Sequence, residues 1–137
     1  MTSRLKIDRV LLATDFSPAS EAALRYAAAF AGHFNARLYL LHVLPAGGKP
    51  PARAEAEVTD EVRCLRQELA GNCDYMVAVL AGDPVARILQ KAREVGADLI
   101  VLGMHDPSAA GALPHHVARQ VCETSHCPVT CVPCRPR

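Results

Sequence analysis

The stretch that most limits what this chain can become is Ala97-Asp98-Leu99-Ile100-Val101-Leu102-Gly103-Met104-His105-Asp106. A short apolar run stops at a glycine and opens into a polar loop. About twenty residues later Cys127-Pro128-Val129 starts another apolar run. That order reads as strand, loop, helix and strand. A continuous apolar strand is one buried on both faces, as in a parallel sheet covered by helices. In open sheets of this kind ligands bind outside the carboxyl ends of the strands, so the loop after Gly103 is the place to seek function.

The rest of the chain repeats the alternation. Ile7 to Thr14 carries Val10-Leu11-Leu12-Ala13 and reads as a first buried strand. Asp15-Phe16-Ser17-Pro18 follows, with Ser17 suited to cap a helix and Pro18 to its first turn. From Ala19 to His33, the residues Ala23, Tyr26, Ala27 and Phe30 recur at helical spacing, and Gly32 and Asn35 mark the end. Ala36 to Leu44 is a second strand, and Pro45 to Pro51 is a loop with Gly47-Gly48 inside. Ala52 to Ala70 is charged and helical, with Val58, Val62, Leu65 and Leu69 on one face, closed by Gly71-Asn72. Tyr75 to Leu80 is a third strand. Gly82-Asp83-Pro84 then starts a helix with Asp83 as N-cap, burying Val85, Ile88, Leu89 and Ala92. Leu99 to Leu102 is the fourth strand, Leu113 to Thr124 the fourth helix and Val129 to Val132 the last strand.

Five strands alternating with four helices predict one α/β domain over residues 1–137: a single open, doubly wound, Rossmann-like parallel sheet. No linker or repeat interrupts it. Half the residues are hydrophobic but only 4% are aromatic and Trp is absent, so the core must be built from Ala, Val, Leu and Ile. The 15 basic and 14 acidic residues leave a net charge of +1. That is no field for binding nucleic acid by counterion release. No apolar run approaches the roughly 20 residues that cross a bilayer. Met1 to Lys6 lacks the apolar stretch of a signal peptide. The expectation is a soluble, cytoplasmic protein with its six cysteines as thiols.

These residues together resemble the universal stress protein family. The resemblance rests on Val10-Leu11-Leu12-Ala13-Thr14-Asp15-Phe16-Ser17, Leu41-His42-Val43, Gly82-Asp83-Pro84, Ala97 to Gly103 and Cys127-Pro128-Val129, in this order. It covers nearly the whole chain. It implies the adenine nucleotide alpha hydrolase-like form of the fold. It also implies a homodimer through the last strand, here Val129, Thr130, Cys131 and Val132. An apolar edge strand needs covering, which agrees.

Family members that bind ATP carry a glycine loop after the fourth strand: Gly, two residues, Gly, nine residues, Gly, then Ser or Thr. Glycines let backbone N–H groups approach phosphate, and the next helix N-terminus adds its dipole. Here Gly103 keeps the first position and Asp106 takes the second. Aligned back from Val117-Ala118, His115 stands at the third glycine and His116 at the hydroxyl residue, with the gap one residue short. Asp106 brings a carboxylate towards phosphate, and side chains at 106 and 115 obstruct close backbone approach. Each lost hydrogen bond to a charged group costs about 1.5–3 kcal/mol. Gly111 offers a partial replacement in a shifted register.

Asp15 stands where family binders place a carboxylate on adenosine, and Val43 where a backbone contacts adenine. The nucleoside half is thus kept while the triphosphate half is altered. Asp15 has a second reading, as a cap of the helix that follows. Without a nucleophile–base pair, a Walker lysine or paired carboxylates, no catalytic residue is assigned. The expected function is a non-enzymatic stress-response or regulatory dimer with no resident cofactor and a degenerate ATP loop. One alternative is a switch that binds ATP or AMP. Another is a metal-responsive protein using His105, His115 and His116 with Asp106, although these have no metal-motif spacing. His115 and His116, when protonated, could also hold an anion at the helix start. Cys131-Val132-Pro133-Cys134 has CxxC spacing but lies at a strand end, so Cys127 and Cys131 read as small core residues on one face with Val129. Cys64 reads as packing.

Overall fold

The computed structural model describes residues 6–14, 21–44, 74–104 and 115–133, without the side chains of Met104, His115 and His116. Its elements are β1 (Arg9–Ala13), α1 (Glu21–Phe34), β2 (Arg37–Leu44), β3 (Tyr75–Ala81), α2 (Pro84–Val95), β4 (Leu99–Met104), α3 (His115–Thr124) and β5 (Val129–Pro133). The expected helix over 52–70, the loop over 45–51, Asp15 with its Ser17-Pro18 start, and the loop from His105 to Pro114 lie outside the described residues, as do Cys64, Cys73 and Cys134.

All five strands are parallel, in the order β3-β2-β1-β4-β5. The chain steps outward from β1 to β3, then returns to the other side of β1 with β4. The switch point therefore lies between β1 and β4. Val10, Leu11 and Leu12 are wholly buried, as the unbroken apolar run requires of a central strand covered on both faces.

Alternation divides the core. Val10, Leu12, Leu38, Leu40, Leu99 and Val101 face α1, while Leu11, Ala13, Leu41, Ile100 and Leu102 face α2 and α3. The stripe that α1 buries is Ala23, Leu24, Ala27, Ala28 and Ala31, small residues that let it approach the sheet closely. Tyr26 is not part of it: it stays 40% exposed and stacks on Phe30 at 6.0 Å between ring centroids. The end of α1 also differs in detail from its sequence signals. Gly32 lies within the helix, and Asn35 alone takes the left-handed conformation, at φ 54°. Asn is the residue other than Gly that tolerates this geometry best.

The turn into α2 forms as the sequence dictates. Asp83 is extended, its carboxylate accepts the Ala86 N–H at 2.9 Å, and Pro84 follows. Gly82 has φ 130°, and a Cβ there would stand 2.9 Å from Nε of Arg87, whose guanidinium donates to the Ala81 carbonyl. Glycine is thus required both for the backbone angle and for room. Gly96, at φ 67°, caps the far end of α2.

Candidate crevice at the switch point

The carboxyl ends of β1 and β4 frame the crevice. The last pairing of β1 with β4 joins Ala13 to Leu102, whereas β4 continues through Gly103 and Met104 alongside Val132 and Pro133 of β5. Gly103 is buried and sits one residue past the end of the β1 pairing, where β4 is paired with β5 alone. That is the position expected for the first glycine of a ligand loop.

The β1 side is braced by contacts that local sequence reasoning missed. Thr14 is 5% exposed, and its N–H donates to the Leu41 carbonyl at 2.9 Å. Its own carbonyl accepts the Nδ1–H of His42 at 2.8 Å. A carbonyl can only accept, so this bond fixes the proton on Nδ1. The partners lie 28 residues apart, so no helical or strand periodicity could reveal them. His42 therefore holds the peptide just before Asp15. Val43, next to it, is half-buried and packs against the core on the α2 and α3 face. Its side chain is thus engaged in packing.

The far wall is the start of α3. Its first turn holds His115 and His116 and no acidic residue. Val117 is 3% exposed and packs in the core with Ala118 and Val121. Its side chain anchors the helix, so a ligand can meet only its backbone. Of the expected site residues, the structure thus brings Val43, Gly103 and the first turn of α3 to one end of the sheet. Asp15, Asp106 and Gly111 lie outside the described residues.

Two of the described cysteines pack against the core, while Cys122 is exposed. Cys127 and Cys131 pack on the α2 and α3 face together with Val129. Burial, reinforced by the neighbouring Cys122, pushes the Cys131 thiol up to about 11. It remains protonated at neutral pH and is no nucleophile there. Ser125 holds the loop before β5, its hydroxyl donating to the Cys127 carbonyl and accepting the Cys127 N–H. Among the described residues no group of three His, Cys, Asp or Glu side chains could hold a metal ion. Nor is any described helix long and apolar enough to cross a membrane.

Comparison with known proteins agrees with this architecture. The model of the universal stress protein family matches residues 6–133. Among curated proteins none matches. Solved structures do. The universal stress protein UspA from Lactobacillus plantarum is 24% identical, over 94% of this chain and 99% of that one, with a TM-score of 0.76. A universal stress protein from Archaeoglobus fulgidus in complex with dAMP is 27% identical, over 94% and 99%, at 0.66. A member from Burkholderia pseudomallei is 26% identical, over 93% and 96%, at 0.65. With the five-stranded parallel order already in place and the family model matched over residues 6–133, the chain belongs to the universal stress protein family.

Proposed function

We propose that the protein is a non-catalytic stress-response domain, acting as a homodimer, whose crevice retains the nucleoside half of an adenine nucleotide site and has lost the triphosphate half. The observation that carries this reading is the opening of α3 on His115 and His116, where ATP-binding relatives place glycine and a hydroxyl. The braced end of β1 supports the retained half. His42 fixes the Thr14 carbonyl immediately before Asp15, and Val43 offers its backbone alongside. Asp106 adds a like charge against phosphate. Gly103, Gly111 and the main chain of Val117 are what remains of a cradle.

A second reading, a switch that binds AMP or ATP, draws support from the Archaeoglobus fulgidus relative solved with dAMP. A monophosphate asks less of the altered loop than a triphosphate does. The dimer is proposed through Val129, Thr130, Cys131 and Val132, because β5 ends the sheet order and its residues before Pro133 are half-buried in the single chain. No part of this reading calls for nucleic acid, a membrane or a metal.

The test is mass spectrometry of small molecules released from the purified protein, alongside thermal-shift titrations with AMP and ATP. Little bound nucleotide, with stabilisation by AMP exceeding that by ATP, is expected. Stoichiometric ATP with a large ATP shift would overturn the altered-cradle reading in favour of the switch. Light scattering should give the mass of a dimer, and Thr130→Lys should halve it.

A further inference from the structure

At the amino end of the sheet, opposite the crevice, lies a hollow of about 420 Å³ lined by Asp8, Arg9, Asn35, Ala36, Arg37, Tyr39 and Asp74. Its volume is within the range of small-molecule sites. Arg9 and Arg37 are direct register partners on neighbouring parallel strands. Alternation places both on the α2 and α3 face, in line with Leu11 and Tyr39. Their Cα atoms are therefore about 4.8 Å apart, the spacing of paired strands. Like charges directly opposite one another on adjacent strands oppose pairing. Yet among the described residues neither guanidinium has an ion-pair or hydrogen-bond partner.

The carboxylates at the hollow make no ion pair with them within 4.0 Å. Asp8 lies 3.8 Å from Nζ of Lys6, and Asp74 stands on the opposite rim, before β3. Arg9 also lies near the end of α2. A Cβ on Gly96 would lie 3.6 Å from its Nη1, so it rests over the C-terminal end of α2, whose dipole favours a cation. Asn35, in its left-handed conformation at φ 54°, also lines the hollow.

From this juxtaposition we infer that the hollow is a second ligand site, for a small phosphorylated polyol or sugar, separate from the nucleotide crevice. The two guanidinium forks take the phosphoryl group, the chemistry for which paired arginines are best suited. Asp8 and Asp74 accept hydrogen bonds from the hydroxyls, and the Tyr39 ring floors the hollow.

Calorimetric titration of the full chain with inorganic phosphate and with glucose 6-phosphate tests this. Saturable binding of both is expected, tighter for glucose 6-phosphate. Arg37→Gln and Arg9→Gln should each weaken both probes at least tenfold. Arg37→Lys, which keeps the charge and loses the fork, should weaken them as well. Asp74→Asn should weaken glucose 6-phosphate while leaving inorganic phosphate unchanged or tighter. Asp15→Ala should change neither probe, which keeps this site distinct from the crevice. Absence of saturable binding at millimolar probe would overturn the inference. So would binding that survives both arginine changes in variants that melt like the parent, or binding lost in Asp15→Ala.

Discussion

Two helix starts in this molecule make a useful contrast. α2 opens on Gly82-Asp83-Pro84, and its first turn is closed from within: the Asp83 carboxylate takes the Ala86 N–H, and Arg87 folds back onto the end of β3. α3 opens on His115-His116, with no acidic residue in its first turn. Both helices anchor on the same face of the sheet, through Ile88 and Ala92 in one case and Val117 and Val121 in the other. The difference lies in what stands at the positive end of the dipole. A carboxylate of the chain itself spends that end on stability, whereas the first turn of α3 holds no such carboxylate. The first turn is architecture; the second is where the proposed change in binding chemistry is to be tested.

Substitutions can break this contrast. The largest effect is expected from Gly82→Ala. It places a side chain at φ 130° and against Nε of Arg87, at a cost of about 1–3 kcal/mol. Thermal melting measures it, and ligand affinity in the crevice should not follow. Next comes the converse change at α3. Asp106→Gly combined with His115→Gly should raise ATP affinity at least tenfold, about 1.4 kcal/mol, with little change in melting. Calorimetry reads that gain, and no gain would mean the loop is not the limiting element. Asp83→Ala removes the cap of α2 and should cost about 1 kcal/mol, visible as a lower denaturation midpoint.

The smallest effect concerns Cys131, behind α3. Its thiol titrates near 11 in the folded chain against 9.0 for an ordinary cysteine. Between those values the unfolded chain has lost the proton that the folded chain keeps. Stability therefore falls as pH rises through this window. Denaturation midpoints measured across it should show the slope, and Cys131→Ala should flatten it.

The contrast also marks what the sequence could disclose. Strands β1, β2 and β4 were legible because burial on both faces leaves unbroken apolar runs. The start of α2 was legible to the residue because an Asp-Pro cap is a local device. Tyr26 misled because its spacing fits a helix face whose buried stripe is made of alanines instead. The long-range joints were not visible. Asp98 accepts the N–H groups of Asp8 and Arg9 at 2.9 and 3.0 Å across some 90 positions of sequence. The Thr14–His42 bond and the Arg9–Arg37 pair likewise exist only once register is set. At the crevice the residue types were readable while their arrangement was not. Val117 stands next to the expected cradle in the sequence, and its side chain packs in the core.

The position of β1 has a consequence for the chain while it is being made. In the finished sheet β1 lies between β2 and β4 and meets no solvent over Val10 to Leu12. During synthesis, β1, β2 and β3 emerge well before β4. Until Leu99–Met104 leaves the ribosome, this future central strand is a bare edge whose hydrogen-bonding groups on the β4 side are unpaired. Such an edge is a template for pairing with other chains. This chain is thus most exposed to aggregation while β4 has yet to emerge, when its future centre is still its margin.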